Sequence, residues 1–217
     1  MVPATTTSLA DQAYGRLRRM ICTAELEPGA VISESGLCEQ LGLGRTPVRE
    51  ALRALASEHL IEVYPRRGMF VAGVDPRDLR AISEVREQLE PFAASLAASK
   101  RDDDDLEIIE TLLVDLEAFE RSGVDEHRTV LMDLDERIHH CVYQASHNAY
   151  LAHDLDSYYT HALRIWFLGL TKVTHLQQAV LEHREILEAI RDGDAERAAV
   201  VMSKHIEGFE AEMRRAL

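Results

Sequence analysis

Long apolar runs, cysteine and positive charge are all scarce in this 217-residue chain, and each scarcity excludes something. No window reaches the roughly 18 consecutive apolar residues of a membrane-spanning helix, so no transmembrane segment and no membrane partner are expected. The opening MVPATTTSLADQ has neither a basic start nor an apolar core, so no secretory signal is expected either. There are 3 cysteines, Cys22, Cys38 and Cys141, an odd number without CxxC spacing. That pattern argues against a disulfide scaffold or a cysteine-rich zinc motif and suits a reducing cytoplasm. Lys plus Arg total 24 against 38 acids, a net charge of −14 that ordinarily speaks against a nucleic-acid partner. Hydrophobic residues, at 46%, are plentiful enough to build cores and exclude a disordered chain.

The charge is not spread evenly. Residues 1–74 hold 8 arginines and 8 acids, so the whole −14 lies in residues 75–217. Texture changes at the same place, from short elements punctuated by Gly and Pro to one helical pattern after another. The turn residues Gly73-Val74-Asp75-Pro76 therefore mark the boundary between two domains, 1–74 and 75–217.

In the first domain a helix is expected from Leu9 to about Glu25, capped by Ser8, with Ala13, Leu17, Met20 and Ile21 inward. Ser33 can cap a second helix, Ser35 to Leu41, with Gly42 as its left-handed stop. A third helix is expected from Pro47 to His59, with Thr46 at its N-cap and Pro47 at the first position. Two strands, 61–64 and 69–71, then flank the turn Pro65-Arg66-Arg67-Gly68. Three helices followed by a hairpin make a winged helix-turn-helix.

On the third helix, Val48, Ala51, Leu52 and Leu55 share one buried arc. Arg45, Arg49 and Arg53, spaced i, i+4, i+8, form a separate stripe beside it. Guanidinium forks can read guanine O6 and N7 in the major groove or hold phosphates. The plainer alternative is a solvated face in which Arg49 and Arg53 pair with Glu50 and Glu62. The basic turn Arg66-Arg67 favours DNA, because a wing beside a recognition helix can reach the backbone or minor groove.

The runs Pro28-Gly29, Leu43-Gly44-Arg45-Thr46-Pro47-Val48-Arg49-Glu50-Ala51-Leu52 and Arg67-Gly68-Met69-Phe70-Val71 resemble the GntR family of bacterial transcription regulators. The resemblance implies that Arg45 and Arg49 contact bases or phosphates, that Thr46 contacts phosphate, and that Gly68 lets the wing approach the groove. Gly44 stands where the family usually has Ser or Thr, which removes one hydroxyl contact to the DNA backbone.

The second domain reads as an all-α bundle of six helices, near 77–99, 103–121, 125–145, 148–170, 175–191 and 194–215, so the chain is mainly α. The aspartate run from Asp102 fits an N-cap and first turn better than a calcium loop, since the alternating ligands and central Gly of an EF-hand are missing. More informative are polar residues on apolar faces. Leu131, Leu134, Ile138, Val142 and Ala145 form one core stripe with Asp135 and His139 at its edge, four apart and pointing the same way. His183 falls inside the stripe Leu176, Ala179, Val180, Leu187, Ile190, and His205 inside Ala198, Met202, Phe209, Met213. A single inward histidine is ordinarily a satisfied core residue. Two of them with an Asp-x3-His pair, on three helices of one bundle, point instead to a metal site, since bundle cores are where such sites are built.

Glu84-Val85-Arg86-x-x-Leu89-Glu90, Asp135-x3-His139, Asn148-x-x-Leu151, Glu182-His183 and His205 resemble the FCD ligand-binding domain of the FadR-type branch of that family, and six helices resemble its VanR subgroup. The resemblance implies a divalent metal (zinc, nickel or manganese) on Asp135, His139, His183 and His205. It also implies a small carboxylate effector met by Arg86, with Asn148 and Arg164 as further pocket residues. The remaining histidines, His59, His127, His140, His147, His153, His161 and His175, read as surface or unassigned. The expected protein is a homodimeric, effector-responsive regulator, a repressor, of an inverted-repeat double-stranded DNA operator. Two alternatives stay open at this point: a regulator for which the ion is itself the signal, and a metal-dependent hydrolase carrying a DNA-binding head.

Overall fold

Capping residues decide where the N-terminal helices begin and end. In the computed structural model, which describes residues 8–122, 128–169 and 176–216, helix α1 spans Leu9–Cys22. Ser8 and Asp11 form a reciprocal capping box, each side chain accepting the other's backbone N–H at 3.1 Å. The helix stops short of Glu25 because Thr23 caps it and Ala24 turns left-handed at φ 56°. Helix α2, Glu34–Leu41, is capped by Ser33 and closed by Gly42 at φ 67°.

Helix α3 runs Arg45–Ser57, beginning earlier than the position of Pro47 suggests. Gly44, not Thr46, is its N-cap, and no side chain completes the cap. Proline is tolerated at the third position for the same reason as at the first: first-turn N–H groups have no intrahelical acceptor to lose. Thr46 is thereby inside the first turn with an exposed side chain. The helix also ends earlier than His59, which adopts φ 59° while Leu60 N–H donates to Leu55 O (2.9 Å) and His59 N–H to Ala56 O (3.2 Å).

Strands β2 (Ile61–Tyr64) and β3 (Gly68–Val71) form the hairpin. A two-residue strand absent from the sequence expectation, β1 (Val31–Ile32), pairs antiparallel with β3, giving the order β1-β3-β2. Ala13, Leu17, Ile21, Val48, Ala51, Leu52 and Leu55 are buried together as the core of this unit.

The chain divides between Asp75 and Pro76 into two compact units. The second contains α4 (Asp78–Lys100), α5 (Asp103–Ser122), α6 (Arg128–Ala145), α7 (Ala149–Gly169), α8 (Leu176–Asp192) and α9 (Ala195–Ala216). Helix α4 packs against α6, α7, α8 and α9, so residues on several of its faces are interior. At the start of α5, Asp102 and Asp105 each accept the other's backbone N–H at 3.0 Å, a second reciprocal cap. All the apolar stripes read from the sequence on α6, α8 and α9 are buried. The expected breaks at Gly123 and 170–172, with His127 and His175, lie outside the described residues.

Candidate nucleic-acid interface and candidate metal centre

The wheel of α3 that buries Val48, Ala51, Leu52 and Leu55 leaves Arg45, Thr46, Arg49 and Arg53 exposed. Arg49 is bonded to neither Glu50 nor Glu62. Its Nε donates to Glu34 Oε2 (3.1 Å) and its Nη2 to Glu34 Oε1 (2.7 Å), a side-on fork reaching from α3 to the first turn of α2. The bonds to Arg49 hold the Glu34 carboxyl below its ordinary range. Glu62 instead accepts the Tyr64 hydroxyl. At the wing, Arg66 adopts φ 65° and Gly68 φ 99°, so the turn places Arg66, Arg67 and Gly68 in solvent. The Arg67 guanidinium stands 5.4 Å from the Tyr64 ring centre, which itself meets Phe70 edge-on.

In the second unit, α6 supplies Asp135 and His139, α8 supplies His183 and α9 supplies His205. All four are buried, and each offers a ligand atom within 4.8 Å of the others. Hydrogen bonding fixes the tautomer of His183. His183 Nδ1 lies 3.0 Å from the Val180 carbonyl, an acceptor, so Nδ1 carries the proton and Nε2 the lone pair. His139 Nδ1 lies 2.8 Å from Glu90 Oε2 and 3.3 Å from the Tyr143 hydroxyl. The Arg86 guanidinium outweighs burial and holds the Glu90 carboxyl below its ordinary range, ionised and acceptor-only.

The Nε2 atoms of His139 and His183 face each other 3.1 Å apart, with the lone pair of His183 turned toward His139. Two imidazole nitrogens at that separation can share a proton or a metal ion. Burial, with the neighbouring imidazoles, holds His183 well below its ordinary value and His205 down to about 3, so both are neutral ligands at neutral pH. Asp135 completes the set, with Oδ1 3.6 Å from His183 Nε2 and Oδ2 accepting the Tyr159 hydroxyl at 2.6 Å. Three imidazoles and one carboxylate, with His183 held by the Val180 carbonyl and Asp135 by the Tyr159 hydroxyl, fit a divalent transition metal.

Arg86 is 1% exposed and already engaged. Its Nε donates to Glu90 Oε1, its Nη1 lies 3.9 Å from Glu210 Oε1, and its guanidinium packs 4.8 Å from the Trp166 ring centre and 5.5 Å from that of Tyr159. Glu90 thus links Arg86 to His139. In the sequence Glu90 enters only as the last residue of the FCD-like run from Glu84, with no role of its own, and Glu210 carries its only signal in lying between Phe209 and Met213 on the α9 core face. Arg164 is buried on α7. Asn148 is not brought to the cluster: its Oδ1 accepts Leu151 N–H (3.3 Å) as the cap of α7, eleven residues or about 16 Å along the helix from Tyr159. A second, exposed group, Asp102, Asp105 and His147, is accounted for by the α5 cap, with His147 Nε2 2.7 Å from Asp105.

Residues 9–71 match the family described as bacterial regulatory proteins, gntR family, and residues 81–208 match the FCD domain. An uncharacterized HTH-type transcriptional regulator from Streptomyces ambofaciens is 33% identical, covering 89% of this chain and 80% of its own length. The galactonate operon transcriptional repressor of Escherichia coli is 30% identical over 91% of this chain and 94% of its own. The solved structure of E. coli McbR/YncC superposes with a TM-score of 0.77 at 25% identity, covering 96% of this chain and 98% of that one. These relatives are transcription regulators, not enzymes, which removes the hydrolase reading. No helix among the described residues is long and apolar enough to cross a membrane. The chain belongs to the GntR family of DNA-binding transcription regulators and carries an FCD domain.

Proposed function

We propose that this regulator is a repressor, dimeric on an inverted-repeat operator, whose DNA affinity is set by a small carboxylate bound beside a divalent ion. Residues 1–74 form the DNA-reading domain and 75–217 the effector-binding and dimerisation domain. Arg45, Arg49 and Arg53 read or clamp the major groove, Thr46 meets phosphate, and Arg66, Arg67 and Gly68 bring the wing to the neighbouring groove. Asp135, His139, His183 and His205 hold the ion. The observation that carries the metal site is the convergence of four buried ligand atoms, from Asp135, His139, His183 and His205, all within 4.8 Å of one another.

When bound, the ion supplies a positive point to which an acid oxygen can attach. Arg86, oriented by Glu90, supplies the second positive group, shared with the effector and not surrendered to it. Effector and DNA then change each other's affinity by the same factor. The galactonate operon repressor among the relatives supports repression as the sign of control and makes sugar acids the first effectors to test.

The test is a thermal-shift screen of mono- and dicarboxylic and sugar acids, on metal-loaded and on chelated protein. A ligand at about 100 times its dissociation constant adds ~2.7 kcal/mol, a plainly shifted midpoint. The expected hit requires the metal and disappears in Arg86→Lys, which keeps the charge but loses the fork. A second reading, the ion as the signal, draws on the ion pair that Arg86 already makes with Glu90. No acid shift, with a large shift from one metal that mild chelation reverses, would replace the first reading by the second.

A further inference from the structure

We propose that Glu34 is a specificity-determining residue: it grips one edge of the Arg49 guanidinium so that the opposite edge is presented, pre-aligned, to a base. This rests on Arg49 reading DNA. The guanidinium carries five N–H groups in a planar fork. Glu34 occupies the Nε–H and one Nη2–H. Both Nη1 hydrogens and the second Nη2–H remain, and these form the end-on pair that matches guanine O6 and N7.

The two partners are positioned by different parts of the helix-turn-helix. Glu34 is the first residue of α2, fixed by the Ser33 cap, and Arg49 sits one turn into α3. The Glu34 side chain is 26% exposed and that of Arg49 53%, so the carboxylate lies behind the arginine while the guanidinium faces outward. Arg45 and Arg53 also act on the Glu34 charge, which places this carboxylate amid the whole arginine stripe. An acid there works against general attraction to phosphate, so it is poorly explained as an aid to affinity. It is well explained as a device for orientation. Held on one edge, Arg49 loses the rotamer freedom that would let it bond phosphates or other bases equally well, and less of that freedom remains to be lost on binding.

The experiment uses the full-length, metal-loaded protein and selection from a pool of random 20-base-pair duplexes, with wild type, Glu34→Ala, Glu34→Gln and Arg49→Ala run in parallel. Wild type is expected to select a guanine at one position of each half-site. Both Glu34 variants should lose about tenfold in preference at that position alone, while their affinity for unselected DNA stays equal or rises. Arg49→Ala should lose the same guanine. A merely structural role for Glu34 would lower the unfolding midpoint and weaken all sequences together, without singling out one base. Glu34→Gln keeps the side-chain size and an acceptor oxygen, so it separates folding from orientation if the alanine variant is unstable. If both Glu34 variants select the wild-type motif with undiminished preference while Arg49→Ala does not, the orienting role is overturned and base reading by Arg49 stands. If Arg49→Ala also keeps the motif, the recognition reading falls, and the role of Glu34 with it.

Discussion

Arg45, Arg49 and Arg53 of the N-terminal unit are exposed, Arg49 at 53%, whereas Arg86 of the C-terminal unit is sealed at 1% against Glu90 at 0%. The same chemistry, a guanidinium on a carboxylate, serves opposite ends in the two places. An exposed pair such as Arg49–Glu34 contributes about 0–1 kcal/mol to the fold, so it can orient a side chain without being needed for stability. A buried pair gains little over an apolar one, but it cannot lose one partner without leaving a bare charge in a core. At the surface such a contact sets how one guanidinium is presented; in the bundle it keeps the core itself intact.

That contrast can be broken most completely at the buried cluster. His183→Ala combined with His205→Ala should reduce bound metal from one per chain to well below one, measured by elemental analysis of purified protein; full occupancy would sink the site. Glu90→Ala should cost about 3–5 kcal/mol in urea unfolding, because it strands Arg86 in the core. A loss under about 1 kcal/mol would show that Arg86 finds water or another partner and that the bundle centre resembles the surface after all. Arg49→Ala should remove about 1–3 kcal/mol of operator binding, read by titration of labelled duplex, with fold and metal content unchanged. Wild-type affinity in that variant would contradict the assignment of the recognition helix.

The smallest effect tests burial inside the N-terminal unit itself. Tyr14 donates to Glu58 (2.9 Å), and burial followed by this bond raises its hydroxyl well above the ordinary 10.0. A folded value above the unfolded one means that the contribution is whole below pH 10 and is lost as pH climbs beyond it. Wild type should therefore lose more thermal stability than Tyr14→Phe between pH 8 and pH 11; equal losses would contradict the shift.

Helix ends and core faces were legible where a local rule governs them. Ser8, Ser33 and Asp102 announce starts because their side chains bond nearby N–H groups, and Gly42 announces a stop because it accepts positive φ. His183 and His205 were conspicuous because a polar residue interrupts an apolar stripe. What escaped was non-local. β1 is two residues long and exists only because β3 lies beside it. Glu34 is 15 residues from Arg49, so nearer acids looked like better partners. Glu90 and Glu210 are ordinary helix acids until α4 and α9 bury them around Arg86. Asn148 shows the reverse, a residue prominent in a family pattern whose visible contact here is the cap of a helix.

The short strand β1 has a consequence for how far the wing can travel. Val31 and Ile32 pair with Phe70 and Met69, and two further bonds at 2.9 Å, Gly29 N–H to Val71 O and Val71 N–H to Ala30 O, fasten the base of the hairpin to the α1–α2 connection. The wing is thus riveted to the frame that carries α3, and the span between wing tip and recognition helix behaves as a ruler of set length. If the helix reads bases and the wing meets the neighbouring groove as proposed, an operator with one base pair inserted between the two should lose the wing contact.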